Sequence, residues 1–89
     1  MKAVNVRVRG RVQGVWFRAS TRAAAERLGL RGWVRNLSDG SVEAHLQGDV
    51  RSVDEMVAWC RVGPSGASVS AVELVDVPAD DTLAGFQIR

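Results

Sequence analysis

The sequence predicts an α+β sandwich in which a mostly antiparallel sheet carries two helices on one face. Two observations indicate this fold class. Segments with strand-like and helix-like hydrophobic periods follow one another in the order β-α-β-β-α-β, with a short strand at the end. The chain has 89 residues, and a chain of this length supports only one core, so residues 1–89 are expected to form one domain.

The first strand and the first helix are predicted from two different periods. Between Ala3 and Arg9, polar residues alternate with the inward-facing Val4, Val6 and Val8. After a glycine-containing loop, the spacing becomes helical and predicts a helix that Gly29 ends in a left-handed cap. The buried face of this helix is expected to carry Phe17, Thr21, Ala24, Ala25 and Leu28.

A hairpin is predicted next. Leu30 to Asn36 has the character of a second strand and Ser41 to Gln47 that of a third, with the tight turn Ser38-Asp39-Gly40 between them. An Asp-Gly pair between apolar runs favours a hairpin. The inward residues of the third strand are expected to be Val42, Ala44 and Leu46. This alternation puts His45, the single histidine, on the open face of the sheet, where we expect a surface residue.

The second helix and the last strands complete the pattern. Ser52 and Glu55 form a capping-box pattern in the first turn of this helix. Its buried stripe is expected to be Val53, Met56, Val57 and Cys60. After it, we expect the stop Gly63-Pro64-Ser65-Gly66, a fourth strand Ser68 to Val77, a loop Pro78 to Ala84 and a closing strand Phe86 to Ile88. The complete order is that of ferredoxin-like sandwiches.

The bulk composition indicates an ordinary globular chain, with 46% hydrophobic and 25% charged residues. The single Cys60 has no partner for an internal disulfide. The sequence contains neither the apolar region of a signal peptide nor an apolar run of bilayer length, so no membrane partner is expected. We therefore expect a cytoplasmic location.

The charges are unevenly distributed along the chain. The net charge is only +2, yet residues 1–35 hold nine basic side chains and one acidic side chain. Residues 36–89 hold three basic and nine acidic side chains. Such a division favours an anionic ligand near the N-terminal half. Apart from Arg18, these arginines are interpreted as solvated surface residues.

The segment Gly10-Arg11-Val12-Gln13-Gly14-Val15-Trp16-Phe17-Arg18 predicts an anion site. It joins the first strand to the first helix, whose first N–H groups have no intrahelical partner and lie at the positive end of the helix dipole. Arg18 in the first helical turn opposes that dipole. Its position is explained if an anion lies between the amides and the planar guanidinium fork.

This segment closely matches the first signature of the acylphosphatase family. Gly32-Trp33-Val34-Arg35-Asn36, followed by Gly40, Val42 and Gly48, resembles the second signature. The resemblance continues to Gly85-Phe86-Gln87-Ile88-Arg89 and so covers nearly the whole chain. Two long motifs in the right order are far more specific than a lone glycine pattern. Acylphosphatases have the ferredoxin-like fold, in agreement with the element order.

The resemblance implies a cofactor-free enzyme that hydrolyses acyl phosphates to a carboxylate and inorganic phosphate. It implies that Arg18 and Asn36 are catalytic, with Arg18 binding the phosphate oxygens and Asn36 orienting the attacking water. Inorganic phosphate or sulfate is expected to bind as a product-like ligand. The amides that would surround the phosphate belong to Gln13, Gly14, Val15, Trp16, Phe17 and Arg18.

Several of these residues also have purely structural interpretations. Asn36 is a common type of residue at the start of a turn, and only the resemblance favours catalysis over that role. Gly14 either leaves space for the phosphate or permits backbone angles closed to other residues. Trp16 is interpreted as a shield of the loop from water. Leu37 occupies a position where some relatives carry a hydroxyl residue, so an auxiliary hydrogen bond from there is in question.

Metal-dependent and nucleotide-dependent enzymes are not expected. The acidic residues lack the spacing of metal ligands, and the chain has no Gly-Lys-Ser or Gly-Lys-Thr phosphate loop. A monomer is expected. One alternative is an acylphosphatase-like domain of a larger maturation machine, although the start at Met1 and the end just after the last strand favour a free-standing enzyme.

The second alternative is an RNA-binding module. RNA-recognition domains share this topology, and the N-terminal half of the chain is basic. These modules stack bases on aromatic side chains of the first and third strands. The corresponding outward positions hold no aromatic residue, being Asn5, Arg7, Arg9, Glu43, His45 and Gln47. Nucleic acid is therefore not an expected partner.

Overall fold

A computed structural model describes all 89 residues. Its elements follow the predicted order, with five strands and two helices. They are β1 (Lys2–Arg11), α1 (Phe17–Arg27), β2 (Arg31–Asn36), β3 (Val42–Gly48), α2 (Val50–Val62), β4 (Ser68–Asp76) and β5 (Phe86–Ile88). The predicted α+β class is confirmed.

The five strands form one sheet in the order β4-β1-β3-β2-β5. All neighbouring strands are antiparallel except β2 and β5, which run parallel with Val34 opposite Ile88. The sheet is therefore mostly antiparallel, as predicted. The parallel pair brings the C-terminal residues beside the strand that ends at Asn36.

β1 extends two residues beyond its predicted end at Arg9. Gly10 and Arg11 continue to pair with β4, after a shift of register between Arg9 and Gly10. At Gly10 the backbone has a φ of 126°, and a Cβ atom would lie only 2.1 Å from the carbonyl oxygen of Ser68. Only glycine allows the strands to approach this closely.

The core lies between the two helices and one face of the sheet. The inward valines of β1 are fully buried, and on α1 the buried residues are Phe17, Thr21, Ala24 and Ala25. Leu28, the fifth residue of the predicted face, is only partly buried and packs against the core. The predicted stripe of α2 is confirmed, because its buried residues are Val53, Met56, Val57 and Cys60.

The prediction that His45 is a surface residue is wrong. Only 8% of His45 is exposed, although it faces away from the helices. β3 lies inside the sheet, so side chains from both neighbouring strands cover it. The ring stacks on Trp33 at 6.2 Å, and its Nε2 donates a hydrogen bond to the side-chain oxygen of Gln47 at 2.8 Å. Gln47 in turn exchanges two hydrogen bonds with the backbone of Asp80.

The predicted capping box of α2 is also wrong. The helix begins three residues earlier than a cap at Ser52 requires, and Asp49 is its N-cap. The Asp49 carboxylate accepts a hydrogen bond from the backbone N–H of Arg51 at 3.1 Å. Aspartate satisfies an otherwise unpaired donor of the first turn and adds a negative charge at the positive end of the helix.

Candidate active site

The loop between β1 and α1 takes two left-handed backbone positions. Gly14 has a φ of 76° and Trp16 a φ of 63°, and Trp16 is the single non-glycine residue with a positive φ. No protein atom lies within 4 Å of where a Cβ atom of Gly14 would be. The positive φ supports the predicted need for a backbone angle that is closed to most other residues, and no protein atom competes for the space beside Gly14.

The N-terminus of α1 is left open towards solvent. Trp16 is the N-cap residue and offers no side-chain hydrogen bond, and the first turn contains no acidic residue. The first hydrogen bond of the helix runs from the N–H of Ser20 to the carbonyl of the N-cap residue Trp16. The preceding N–H groups therefore have no intrahelical acceptor, so this end of the helix is a favourable place for an anion.

Arg18 and Asn36 line one cavity of about 450 Å³. Arg18 belongs to the first turn of α1 and Asn36 is the last residue of β2. The side chains of both residues make no hydrogen bond within the protein. The full lining is Val12, Gly14, Trp16, Phe17, Arg18, Ala19, Asn36 and Ile88.

Two members of the predicted loop, Gln13 and Val15, do not line the cavity. Val15 packs against the core. Gln13 turns towards the β2–β3 connection, where its Nε2 donates hydrogen bonds to the carbonyls of Leu37 at 2.8 Å and Ser41 at 3.0 Å. One side chain thus ties the loop to the segment that follows Asn36.

Arg18 lacks the acidic partner that several other basic side chains have. Lys2, Arg9, Arg22 and Arg35 all form ion pairs with acidic side chains. Arg18 forms none. Arg18 is half-buried and lines a cavity without a carboxylate, which leaves its positive charge available to a ligand.

Sequence reasoning missed three residues of the lining, namely Val12, Ala19 and Ile88. Ala19 follows Arg18 directly, so its place in the sequence could have predicted it. Ile88 was not, because its place beside Val34 depends on the parallel pairing of β5 with β2. The side-chain bridge from Gln13 was missed for the same reason, since its acceptors are 24 and 28 residues away.

Other chemically active groups lie away from this cavity. Burial raises the pKa of the Cys60 thiol to about 12, so it is not a thiolate at neutral pH. No group of three or more His, Cys, Asp or Glu side chains is placed to hold a metal ion. Neither helix has the length and apolar character needed to cross a bilayer.

Known proteins resemble this chain over nearly its whole length. The family model for acylphosphatase matches residues 4–88. An acylphosphatase of Rubrobacter xylanophilus is 56% identical over 88 residues, which are 99% of this chain and 80% of that protein.

Two solved structures have the same fold. An acylphosphatase from Coxiella burnetii superposes with a TM-score of 0.94 at 41% identity, covering 99% of this chain and 92% of that one. The acylphosphatase from Bacillus subtilis gives a TM-score of 0.95 at 29% identity, with 100% and 99% covered. The two signatures, the fold and the full-length match together establish that this chain belongs to the acylphosphatase family, whose members hydrolyse acyl phosphates.

Proposed function

We propose that this chain hydrolyses acyl phosphates with Arg18 and Asn36 as its catalytic residues and without a metal ion. One observation carries the assignment. The unpaired guanidinium of Arg18, the amide of Asn36 and the uncapped N-terminus of α1 line a single cavity. These groups are suited to a tetrahedral anion with a water molecule beside it.

The phosphoryl group binds between Arg18 and the loop amides. The guanidinium donates two parallel hydrogen bonds to phosphoryl oxygens, and the N–H groups from Gln13 to Arg18 donate to the rest. In phosphoryl transfer the charge is spread over the equatorial oxygens, so donors held in place before the reaction provide most of the catalysis. The same site binds inorganic phosphate or sulfate.

Asn36 holds the attacking water. Its side-chain oxygen accepts a hydrogen bond from water while its NH₂ group donates to a phosphoryl oxygen, but an amide does not accept the proton. The water oxygen bonds to phosphorus as the bond from phosphorus to the acyl oxygen breaks. The electron pair leaves with the carboxylate, and the water proton passes to an oxygen of the phosphate.

A general acid is unnecessary in this reaction. The conjugate acid of a carboxylate leaving group has a pKa near about 4, so it departs as an anion at neutral pH. The absence of histidine from the cavity lining fits this chemistry, since His45 is buried on the other face of the sheet. The enzyme we propose is a cytoplasmic monomer, in keeping with its single, buried cysteine.

Arg18→Lys tests the assignment. Lysine keeps the positive charge but presents a point charge in place of the bidentate fork. We expect kcat/KM on acetyl phosphate to fall by roughly a hundredfold or more, the size of effect seen when a group that stabilises the transition state is lost. The measurement is phosphate release with and without a chelator, and the chelator should change nothing.

Arg22→Lys is the matched control. Arg22 lies one helical turn after Arg18 and is exposed. Its Nε atom is 3.6 Å from a carboxylate oxygen of Glu26, and Arg22 does not line the cavity. Its substitution should leave the rate near that of the parent. Activity of Arg18→Lys close to the parent's would show that Arg18 does not hold the phosphoryl group.

A further inference from the structure

The cavity lining is of two chemical kinds. Arg18, Asn36 and the backbone at Gly14 are its polar members. The other lining side chains are apolar. Among these, Val12 and Phe17 are buried in the core, with 1% and 2% of their surfaces exposed. Trp16 and Ile88 are the large apolar side chains that a ligand in the cavity can reach, with exposures of 82% and 39%.

The cavity is larger than a phosphoryl group requires. A tetrahedral phosphate occupies a volume on the order of 100 Å³, judged from about 30 Å³ for each water in the liquid. The cavity measures about 450 Å³, within the range of about 300–1,000 Å³ typical of sites for small organic molecules. A volume of this size leaves room for the acyl group of a substrate beside its phosphoryl group.

Trp16 is exposed, and its backbone has a conformation that is unfavourable for a bulky residue. A left-handed backbone is unfavourable for a bulky residue, and here no packing around the indole compensates for it, because the ring is mostly in solvent. Trp16 nevertheless belongs to the cavity lining, on the side open to solvent. A ligand that covers it removes a large apolar surface from water.

From these observations we infer that Trp16 and Ile88 form a subsite for the acyl group and make the enzyme selective for acyl phosphates with apolar or aromatic acyl groups. The inference rests on the proposed function, because it needs the phosphoryl group at Arg18. Beyond Arg18 and Asn36, no charged or polar side chain lines the cavity. A charged acyl group finds no partner in the subsite, whereas a benzoyl ring packs against the indole and the Ile88 side chain.

The test compares benzoyl phosphate with acetyl phosphate as substrates of the purified protein. For each variant, kcat/KM for benzoyl phosphate is divided by kcat/KM for acetyl phosphate, and this ratio is compared with the ratio of the parent. This step cancels the intrinsic reactivities of the two substrates. Trp16→Ala and Ile88→Ala should each lower the ratio by about three- to tenfold, the discrimination expected from a few apolar contacts.

Two further variants separate selectivity from damage to the fold. Trp16→Phe retains an aromatic face and should restore most of the parent's ratio. Val62→Ala shortens an exposed apolar side chain, similar in size to Ile88, at the end of α2. Val62 does not line the cavity, so the ratio should stay unchanged. Ratios within twofold of the parent for both Trp16→Ala and Ile88→Ala would overturn the inference.

Failure of the proposed function has a different signature. If Arg18→Ala still hydrolyses acetyl phosphate at the parent's rate, the phosphoryl site has been wrongly placed and the subsite beside it is overturned too. If Arg18→Ala loses activity on both substrates equally while the Trp16 and Ile88 variants keep the parent's ratio, the phosphoryl site is supported. The acyl subsite alone is then overturned.

Discussion

At Asn36 the same side chain suits either a catalytic amide or the start of a turn, and substitution separates the two roles. The amide lines the cavity and makes no hydrogen bond within the protein, which favours catalysis. Asn36→Ala should therefore lower kcat by roughly a hundredfold while inorganic phosphate still binds, since the loop amides and Arg18 supply most of the donors to phosphate. Initial rates and inhibition by phosphate provide both numbers.

Asn36→Asp sharpens this distinction. Aspartate starts a turn about as well as asparagine, but it adds a negative charge beside the phosphoryl oxygens. A catalytic role predicts severe loss of activity together with weaker inhibition by phosphate. Near-parental activity of Asn36→Asp would remove Asn36 from the mechanism.

At the scale of elements, Gln13 couples the loop before α1 to the connection between β2 and β3. Its two hydrogen bonds reach the carbonyls of Leu37 and Ser41, on either side of the turn that begins after Asn36. Gln13→Met keeps the length of the side chain and removes both donors. We expect it to lower kcat by about tenfold, because Asn36 is no longer held in register with Arg18.

A double-mutant cycle tests whether Gln13 acts through Asn36. In an Asn36→Ala background, Gln13→Met should cost little further activity, since residues acting as a unit are not additive. Gln87→Met on β5 is the control, because Gln87 is exposed and its side chain makes no hydrogen bond. Equal losses in both backgrounds would show that Gln13 acts independently of Asn36.

The whole molecule should be stabilised by a ligand that binds only the folded site. Phosphate at ten times its Kd adds about 1.4 kcal/mol, which raises the Tm of a domain of this size by roughly 6–11 °C. Thermal scans in phosphate and in sodium chloride of equal ionic strength measure the effect. Arg18→Ala should abolish it, and an unchanged Tm of the parent in saturating phosphate would contradict a preformed site.

The stability of the whole molecule should also decline in acid. The pKa values of Asp39, Glu73 and Asp80 are lowered, chiefly by side-chain hydrogen bonds from Ser41, Arg9 and Thr82 respectively. Groups with depressed folded-state pKa values stabilise the fold above their unfolded values and lose that contribution as the pH falls through the folded ones. The Tm should thus be nearly constant above about pH 5 and fall below about pH 4.

Asp80→Asn and Asp81→Asn provide a matched pair for this effect. The Asp80 carboxylate accepts hydrogen bonds from the N–H and the hydroxyl of Thr82, at 2.9 and 2.6 Å, whereas Asp81 is exposed and makes no side-chain hydrogen bond. The slope of Tm against pH below pH 5 should become shallower in Asp80→Asn and stay the same in Asp81→Asn. Identical slopes in the two variants would exclude Asp80 as a source of the acid sensitivity.

Local patterns in the sequence were enough to predict the elements and part of the candidate site. Hydrophobic period decided the strand at Val4, Val6 and Val8 and the stripes of both helices, because each depends on neighbours along the chain. Arg18 was predicted in the same local way, from its place in a first helical turn after Gly14. The Ser52–Glu55 pattern was misleading, because the N-cap of α2 is Asp49, three residues earlier.

By itself, then, the sequence determined the order of the elements, their buried faces and, through its two signatures, the family. Only the tertiary structure decided what lies beside Arg18. The strand order brings Asn36 and Ile88 to the start of α1, and places Gln13 within reach of Leu37 and Ser41. It also buries His45 between two neighbouring strands. Such contacts depend on pairing between residues far apart in the chain, to which hydrophobic periods, being local, are insensitive.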